Sequence, residues 1–368
     1  MIFFVYLAAL IVAIYIAIQL VVLVSFLQHN EEEKKISDDE LPFISVLIAA
    51  RNEERNILYC LSSLWGLNYP KNKYEVLVGD DNSEDHTDHF VREFMKDKPS
   101  FSLYTITEQV GTAKGKANVL AQLARKAKGE YLLITDADIE VQPDWARTLV
   151  SQADEKTGIV SGVTVVRAGG LIDDMQQTDW LSFMAHMQGF ENLGKSATAV
   201  GNNMLVSRKA YDETGGYENI PFSVTEDYKL FQHIRELGWK TKTVALSACV
   251  NYSRGLGTFN KVIRQRLRWL TGARELPAFW WFIFTVYAFF WPAVAVVALH
   301  NWVLALQLIG IKVVLQWLYL ILFGLRLKLT GISFRIPEYE VYSILITAAS
   351  TLAFLMRRPV NWKGRKYS

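Results

Sequence analysis

The stretch Phe43-Ile-Ser-Val-Leu-Ile-Ala49 decides how the centre of this chain folds. It is an almost continuous apolar run that ends in the polar residues Arg51, Asn52 and Glu53. Runs of this kind are buried on both faces, which is typical of strands in a parallel sheet. A helix is predicted from Glu53 to about Trp65, and together they form the first strand–helix unit.

The same alternation repeats further along the chain. Later strands are predicted at 74–79, 101–106 and 131–135, and the helices between them at 86–95 and 116–128. Strands separated by helices of this length form parallel βαβ units, in an open sheet with helices on both faces. Ligands of such sheets bind at the carboxyl ends of the strands, so chemistry is expected just after each strand.

The composition excludes several classes of protein. The chain has 368 residues, of which 51% are hydrophobic and 21% charged, so a disordered chain is excluded. Its 39 basic and 37 acidic side chains leave a net charge of +2, which does not favour nucleic acid as a partner. Cys60 and Cys249 fit neither a disulfide scaffold nor a clustered cysteine metal site, and favour a reducing compartment.

The hydrophobic residues are concentrated in a few segments. The mean hydropathy of +0.13 is high for a water-soluble enzyme, and residues 1–30 contain no Asp, Glu, Lys or Arg. The run 3–27 is long enough to cross a hydrocarbon core about 30 Å thick. It lacks the positive start of a cleaved signal peptide, so we expect it to be retained. Two more spans are predicted near 279–299 and 302–325, whereas the run 341–356 is short for a span.

Basic residues beside these runs predict the orientation in the membrane. Lys34 and Lys35 follow the first span, Arg326 and Lys328 follow the third, and the tail 357–368 is basic without an acidic residue. The positive-inside rule puts all three groups in the cytoplasm. Three spans plus a re-entrant or surface segment at 341–356 fit this rule, and four spans remain the alternative.

Polar clusters follow three of the predicted strands. They are Ala50-Arg-Asn-Glu53, Asp80-Asp-Asn-Ser-Glu-Asp85 and Thr135-Asp-Ala-Asp138. Each alone is also an ordinary turn or helix-cap sequence. Three carboxylate clusters at one sheet edge are harder to explain by turns alone. Neither a P-loop nor a dinucleotide fingerprint follows the first strand, so a nucleotide must be held in another way.

The pair Asp136 and Asp138 can hold a nucleotide diphosphate through a metal ion. Two carboxylates separated by one small residue can face a Mg²⁺ or Mn²⁺ ion that also takes diphosphate oxygens. Lys116 begins a predicted helix and can add positive charge near those phosphates. The alternative for Lys116 is an ordinary solvated helix residue.

Two later segments have both a structural and a functional interpretation. Thr225-Glu-Asp227 begins a predicted helix. In the structural interpretation, Thr225 is an ordinary N-cap followed by two acidic residues in the first turn. In the functional interpretation, Asp227 is a general base. Gln265, Arg268 and Trp269 lie on an amphipathic helix just before the membrane, where arginines also attract anionic lipid head groups.

Taken in order, these segments resemble the motif series of family-two membrane glycosyltransferases. These are the inverting GT-A enzymes that include cellulose, chitin and hyaluronan synthases and ceramide glucosyltransferase. The resemblance covers about residues 42–275. The fold it implies is an α/β GT-A domain, Rossmann-like with a mostly parallel sheet, in the cytosol and flanked by transmembrane α-helices.

The resemblance also implies roles for individual residues. Glu53, Asp80 and Asp81 would hold the base and ribose of a nucleotide sugar, to which Ala50 would also bind. Lys116 would lie near the diphosphate, Asp136 would contact the nucleotide, and Asp138 would bind the metal. Asp227 would deprotonate the acceptor, and Gln265, Arg268 and Trp269 would close over the diphosphate and the acceptor. The loop 201–204 resembles the family's loop beside the acceptor.

The resulting hypothesis is sugar transfer from a nucleotide diphosphate sugar, expected to be a UDP-sugar, to a hydroxyl acceptor at the membrane. The few predicted spans favour a lipid acceptor over a secreted polysaccharide. An exopolysaccharide synthase or its catalytic subunit is the alternative within enzymes, and a non-catalytic nucleotide-sensing membrane protein is the alternative outside them. The expected location is a bacterial inner membrane, with the catalytic domain in the cytoplasm.

The expected domain organisation follows from these boundaries. It consists of a first transmembrane helix at 1–30, a charged linker at 31–41, a GT-A domain at 42–257, an amphipathic interface helix at 258–277, a C-terminal membrane region at 278–356 and a basic cytosolic tail at 357–368.

Overall fold

The computed structural model of the chain describes residues 2–332, 334–357, 359–362 and 365–367. The α-helices are α1 Ile2–Gln28, α2 Ile57–Trp65, α3 Thr87–Met95, α4 Lys116–Lys126, α5 Trp145–Gln152, α6 Leu171–Asn192, α7 Arg208–Glu213, α8 Glu226–Glu236, α9 Phe259–Gly272, α10 Ala278–Ala298, α11 Trp302–Arg326 and α12 Ile336–Leu355. The strands are β1 Ile44–Ala50, β2 Tyr74–Asp80, β3 Phe101–Thr105, β4 Tyr131–Asp136, β5 Ile139–Glu140, β6 Thr157–Ser161, β7 Val163–Val166, β8 Asn203–Ser207, β9 Lys240–Thr243, β10 Val250–Ser253, β11 Val360–Trp362 and β12 Arg365–Tyr367.

The central sheet has seven strands in the order β3-β2-β1-β4-β8-β6-β9. Neighbouring strands are parallel except at β8, which runs antiparallel to β4 and β6. The core strands β1, β2 and β4 are buried along almost their whole length, as strands covered on both faces must be. The mostly parallel sheet expected from the sequence is therefore confirmed.

A small second sheet begins where β4 ends. It has the order β5-β10-β7, and only two residues separate Asp136 from the start of β5 at Ile139. Asp136, Ala137 and Asp138 therefore form the crossing from one sheet to the other. A crossing between two sheets places polar side chains at the carboxyl edge of β4, where ligands of such folds bind.

The helix after β1 begins later than the sequence predicts. Asn52 has a φ of 53°, a left-handed conformation that Asn tolerates better than most residues. The amide of Ile57 then bonds to the carbonyl of Glu53 at 2.9 Å, and α2 continues from Ile57. The predicted first helical turn is thus a connecting turn, which leaves Glu53 at the strand end rather than on the helix.

The chain divides into two compact units. The sheet unit comprises Glu31–Gly169, Thr198–Leu256 and Pro359–Ser368, and the helical unit comprises Met1–Asn30, Gly170–Ala197 and Gly257–Arg358. The continuous domain expected at 42–257 is therefore interrupted, because α6 groups with the membrane helices.

Three helices in the described part of the chain are long and apolar enough to cross a membrane. They are Phe3–Gln28, Ala278–Ala298 and Trp302–Arg326, which coincide closely with the predicted spans. α1 and α10 pack through aromatic contacts, such as Tyr15 on Phe290 with ring centroids 4.3 Å apart. The short run at 341–356 lies on α12, which is not among the three. Of the expected tail at 357–368, Arg358, Lys363, Gly364 and Ser368 lie outside the described residues.

Candidate active site

Three predicted site residues occupy neighbouring places at one sheet edge. The register pairs Ala50 with Asp80 across β1 and β2, and pairs Ala49 with Asp136 across β1 and β4. Since these strands are parallel, their carboxyl ends lie side by side. The strand-end rule used on the sequence therefore holds for Ala50, Asp80 and Asp136.

The end of β2 is a compact, hydrogen-bonded turn. Asp80 is buried, and its carboxylate accepts a hydrogen bond from the Ser83 hydroxyl and one of 3.2 Å from the Ser83 amide. The amide of Asp81 donates to the Ala50 carbonyl at 2.8 Å. Asn82 takes a φ of 60°, so the turn reverses tightly. Asp80 and Asp81 are thus fixed beside the carboxyl end of β1.

Glu53 lies between β1 and α2, and its neighbours hold it there. Its backbone amide donates to the Thr87 hydroxyl at 2.8 Å, and one of its carboxylate oxygens accepts a hydrogen bond of 2.8 Å from the Asn56 side-chain amide. Cys60 lies beneath this region, and its thiol donates to the Asp136 carbonyl at 3.5 Å. Burial, together with the charges of Asp138, Asp136 and Glu53, raises the pKa of the Cys60 thiol. Both effects disfavour the thiolate, so Cys60 is a neutral, buried thiol.

Lys116 connects two carboxylates that are far apart in sequence. Its Nζ lies 2.6 Å from Asp136 Oδ1 and 2.9 Å from Glu226 Oε1. Only 10% of the Lys116 side chain is exposed, and likewise 10% of the Glu226 side chain. A solvated helix residue would be exposed and unpaired, so the structure rules out that alternative for Lys116.

The charge of Lys116 is stabilised by its surroundings. Burial lowers the pKa of the ammonium group, but the negative charges of Asp136, Glu226 and Asp227 outweigh it, and the pKa is raised. A cation paired in this way stays protonated at neutral pH. The site therefore contains a permanent positive charge beside the carboxyl end of β4.

Asp227 lies in the first turn of α8 and is held from two sides. Its Oδ2 accepts a hydrogen bond of 3.0 Å from the amide of Gly201, and its Oδ1 accepts one of 2.8 Å from the amide of Tyr228. A Cβ atom at Gly201 would lie 2.5 Å from Asp227 Oδ2, so only glycine permits this approach. The Gly201 loop, which the sequence analysis singled out, thus fixes the carboxylate.

The structure supports only in part the interpretation of Thr225-Glu-Asp227 as a simple helix cap. Thr225 occupies the N-cap position, but its side chain makes no capping hydrogen bond to the helix. Its hydroxyl lies 3.2 Å from the Ser223 hydroxyl instead. Asp227 lies in the first turn, where a negative charge is favourable to the helix dipole. A structural contribution and a catalytic one are therefore both compatible with its position.

Asp136 and Asp138 provide a donor set for a divalent cation of a particular kind. Within the described ranges, no group of three or more His, Cys, Asp or Glu residues is arranged to hold a metal ion. Mg²⁺ and Mn²⁺ commonly use one or two carboxylates and complete their shell with phosphate oxygens and water. Asp138 is half-buried and Asp136 is 34% exposed, so both carboxylates reach the site's surface. These residues fit an ion held mainly by a nucleotide, and do not form an all-protein cage.

The sequence analysis missed two residues of this cluster. Glu226 was read only as part of a helix start, although it pairs with Lys116. Tyr217 is 3% exposed, and its hydroxyl has no hydrogen-bond partner among the residues that the structure describes. Burial, with the charges of Glu226, Asp227 and Asp136, raises the pKa of Tyr217 well above its ordinary value, so the phenol stays protonated. The only sequence clue to either residue was its closeness to Asp227 in the chain.

The remaining predicted residues belong to the helical unit. Gln265, Arg268 and Trp269 lie on α9, where Gln265 accepts a hydrogen bond of 3.3 Å from the Gln176 amide. Trp269 stacks on Trp180 of α6, with ring centroids 4.8 Å apart. The structure therefore places the predicted carboxylates in one unit and the predicted Gln-x-x-Arg-Trp residues in the other.

Comparison with known proteins identifies several relatives. The protein named "Probable glycosyltransferase YdaM" of Bacillus subtilis is 31% identical over 238 residues, which are 63% of this chain and 56% of that protein. The beta-monoglucosyldiacylglycerol synthase of Trichormus variabilis is 28% identical over 69% of this chain and 53% of its own length. A poly-beta-1,6-N-acetyl-D-glucosamine synthase of Staphylococcus aureus is 25% identical, over 66% and 57% respectively. The chain thus spans a little over half the length of these relatives.

A solved structure shares the fold over nearly the whole chain. It is the mannosyltransferase PcManGT from Pyrobaculum calidifontis, in complex with GDP-Man and Mn²⁺. The two align with a TM-score of 0.64 and 20% identity, covering 96% of this chain and 99% of that one. The α/β GT-A fold expected from the sequence is therefore confirmed.

A protein-family model also matches this chain. The model described as "Glycosyl transferase family 21" matches residues 4–368. The relatives above include a glycolipid synthase and a polysaccharide synthase, the two kinds of enzyme that the motif series resembles. On a match that extends over all but the first residues, the chain belongs to glycosyl transferase family 21.

Proposed function

We propose that this protein is an inverting glycosyltransferase that moves a sugar from a nucleotide diphosphate sugar to a hydroxyl group of a membrane lipid. The observation that carries the proposal is the cluster around Lys116, in which a buried cation joins Asp136 to Glu226 beside Asp227. The cluster combines positive charge for a departing diphosphate with a fixed carboxylate for an attacking hydroxyl. A site with only a structural ion pair would not need the second feature.

The reaction is a single displacement. The acceptor hydroxyl attacks the anomeric carbon, the bond from that carbon to the diphosphate oxygen breaks, and Asp227 takes the hydroxyl proton. Because Gly201 and Tyr228 bind both carboxylate oxygens through their amides, Asp227 approaches the substrate in one orientation. One displacement inverts the anomeric centre, and no covalent nucleophile is required.

Charge on the leaving diphosphate is balanced by this chain's cations. Lys116 supplies positive charge near the end of β4, and preorganised charges of this kind stabilise a transition state where negative charge develops. Arg268 would add positive charge, and Gln265, Arg268 and Trp269 would close over the diphosphate and the acceptor. The roles of these last three residues rest on the motif resemblance alone.

Glu53, Asp80 and Asp81 would hold the base and ribose of the nucleotide, Asp136 would contact the nucleotide, and Asp138 would bind Mg²⁺ or Mn²⁺. The ion, when bound, supplies Lewis-acid charge to the diphosphate oxygens. A neighbour of the same fold was solved with GDP-Man and Mn²⁺, which supports a divalent ion and leaves both UDP- and GDP-sugars as donors to be tested.

A lipid acceptor is supported by the three apolar helices and by the glucosyldiacylglycerol synthase relative. The poly-N-acetylglucosamine synthase relative supports the alternative, an exopolysaccharide synthase or its catalytic subunit. In either case the sheet unit lies on the cytoplasmic side of a bacterial inner membrane, where nucleotide sugars are available.

The decisive experiment is a transfer assay on membranes that contain the protein. Radiolabelled UDP- and GDP-sugars are supplied with diacylglycerol, ceramide and polyisoprenol acceptors, and the products are separated by thin-layer chromatography. A labelled glycolipid is expected from the wild-type protein and not from Asp227→Asn. Glu236→Gln is the control variant, since Glu236 is an exposed residue on the same helix. A labelled polymer at the origin would favour the polysaccharide alternative, and no transfer from any donor would refute the proposal.

The metal assignment has its own test. Asp138→Asn removes a carboxylate charge, and we expect the Mn²⁺-dependent part of UDP or GDP binding to disappear in isothermal titration calorimetry. Metal-free nucleotide binding should change little. An unchanged Mn²⁺ dependence in the variant would show that Asp138 is not a metal ligand.

A further inference from the structure

Helix α6 is a feature for which the sequence analysis gave no role. The chain leaves the sheet unit after β7, forms 22 helical residues in the helical unit, and returns at Thr198 before β8. One side of this helix carries the polar side chains of Asp173, Gln176 and Asp179 and the aromatic side chain of Trp180. Their spacing of i, i+3, i+6 and i+7 puts them on one face.

This face of α6 contacts the motif helix α9 at three places. Gln176 donates to Gln265 at 3.3 Å, and Trp180 stacks on Trp269 at 4.8 Å. Asp179 forms an ion pair with Arg266. The Arg266 guanidinium also lies 5.3 Å from the centroid of the Trp269 ring. Every one of these contacts involves a position within the five-residue motif.

These contacts determine which way α9 faces. Successive residues of an α-helix are about 100° apart, so Gln265, Arg266 and Trp269 lie within about 100° of one another. Arg268 lies roughly 100° from their centre. Val262, which is 1% exposed, lies on the same side as the three. α6 therefore holds one face of α9 and leaves Arg268 on the adjacent face.

Of the contacts between α6 and α9, the ion pair between Asp179 and Arg266 depends most strongly on geometry. Only 17% of the Asp179 side chain and 26% of the Arg266 side chain are exposed, so solvent screens the pair less than it screens surface charges. A tryptophan stack tolerates sliding, whereas a guanidinium and a carboxylate prefer a defined geometry. Loss of Asp179 would leave Arg266 half-buried without its carboxylate, and would loosen the rotation of α9.

We infer that Asp179 is a positioning residue for the reaction. Its ion pair with Arg266 sets the rotation of α9, and this rotation determines the direction in which Arg268 and Trp269 face. The inference rests on the proposed function, because Arg268 and Trp269 have roles only if a sugar is transferred. It adds to that function a residue of α6, outside the five sequence motifs. Asp179 itself touches no reacting atom.

The kinetic test compares Asp179→Asn with a matched control. We expect Asp179→Asn to lower kcat on the order of 10- to 100-fold, since small misplacements of catalytic groups have effects of this size. The KM for the nucleotide sugar should stay within about twofold, because Glu53, Asp80 and Asp81, the residues proposed to hold the base and ribose, belong to the sheet unit. Arg335→Gln is the control: it breaks an ion pair with Asp174 on the same helix and leaves intact the three contacts between α6 and α9 described above, so it should leave kcat near wild type.

Charge reversal separates positioning from general destabilisation. Asp179→Arg and Arg266→Asp each place like charges together, and we expect both to lose transfer. The double variant Asp179→Arg/Arg266→Asp restores an ion pair with opposite sense, and should recover at least tenfold over either single variant. Failure of the double variant to recover, with both singles folded, would overturn the inference.

A structural measurement makes the inference independent of activity. Nitroxide labels on Lys261→Cys and Leu193→Cys, both exposed, report the distance between α9 and the end of α6 by pulsed electron paramagnetic resonance. The native Cys60 and Cys249 are buried, so they should not take the label. A narrow distance distribution that broadens in Asp179→Asn, and not in Arg335→Gln, is expected. If the wild type transfers no sugar, the proposed function fails, and the distance distribution then shows only whether Asp179 fixes the position of α9. If the wild type transfers sugar, an unchanged distribution or an unchanged kcat in Asp179→Asn would overturn the inference.

Discussion

At the scale of single residues, Asp227 shows how the fold prepares a carboxylate for catalysis. Both of its oxygens already accept backbone hydrogen bonds, from Gly201 and Tyr228, and its charge faces the Lys116 cluster. The two N–H groups orient the carboxylate, and the cluster supplies the electrostatic setting. A residue that only capped α8 would not need the contact with a loop 26 positions earlier in the chain.

We expect Asp227→Asn to lower the sugar-transfer rate by about 10²-fold or more, because an amide cannot accept the acceptor's proton. The asparagine NH₂ group would also face one of the two backbone donors, at a cost of about 1–3 kcal/mol in the free energy of unfolding. UDP and GDP affinity should persist. Melting temperature, nucleotide affinity and transfer rate are measured on the same purified preparation.

A second variant separates the position of Asp227 from its chemistry. Gly201→Ala keeps the carboxylate but puts a methyl group where Asp227 Oδ2 now lies, so the transfer rate should also fall. Gly310→Ala is the control, because a Cβ at that position meets nothing within 4 Å. Near-wild-type transfer by Asp227→Asn would defeat the general-base assignment.

Lys116 predicts a characteristic pH dependence. Its raised pKa means that its contribution to stability is fully present below the ordinary lysine value of 10.5 and is lost only as the pH rises through the higher, folded-state pKa. The wild-type contribution is therefore constant between pH 5 and 9, a window chosen well below that value.

Lys116→Met should behave differently. Asp136 and Glu226 would face each other without their cation, so the free energy of unfolding should fall by about 2–4 kcal/mol at neutral pH. The lower end of this range takes account of the partial exposure of Asp136 to solvent. Acidification should recover part of the loss, because protonation removes the repulsion. Chemical denaturation at pH 5 and pH 8 measures this, and a loss that is equal at both values would contradict the predicted charge relation.

At the scale of elements, α12 shows why a short apolar run behaved differently from the three spans. The helix begins five residues before the predicted run and includes Glu338 and Glu340. Glu340 forms an ion pair with Lys312 of α11, and Gln316 donates to the same carboxylate at 3.4 Å. Charged groups within apolar helices are tolerated when they are paired in this way.

The pair predicts a marked non-additivity. Lys312→Met leaves Glu340 buried without a cation, and should lower the free energy of unfolding by about 3–5 kcal/mol. The double change Lys312→Met/Glu340→Leu removes both charges, and should restore most of the stability. Thermal unfolding in detergent measures the three proteins against wild type. Equal loss in the single and double variants would mean that the pair does not stabilise the start of α12.

At the scale of the whole molecule, the arrangement of spans determines which side of the membrane each loop faces. We expect Ser37→Cys, on the exposed linker, to react with an impermeant maleimide only after the cells are permeabilised. His300→Cys, in the connection between α10 and α11, should react from outside. Both side chains are exposed, and the native cysteines are buried, so the background should be low.

The same assay distinguishes three spans from four. Arg357→Cys, just after α12, should be protected in sealed cells if α12 does not cross the membrane. Labelling of this variant from outside would mean that α12 crosses completely. Labelling of Ser37→Cys from outside would reverse the whole orientation and contradict the positive-inside rule for this protein.

The sequence by itself determined the order of strands and helices from β1 to β4, the three apolar spans and the strand-end carboxylates. These features depend on local periodicity and on which residue follows a strand, and both can be read within about 20 neighbouring positions. The start of α2 was misplaced because the left-handed Asn52 delays the helix, which no periodicity records. The site of Ala50, Asp80 and Asp136 was predictable because parallel strands end at a common edge.

Only the tertiary structure decided which distant residues meet. Lys116 pairs with Glu226, Asp227 with the Gly201 amide, and Asp179 with Arg266, across separations that no local pattern specifies. It also placed α6 among the membrane helices, although the segment lies between two strands of the sheet unit. The physical reason is that such contacts depend on how complete elements pack, so their energies appear only when the whole chain is folded.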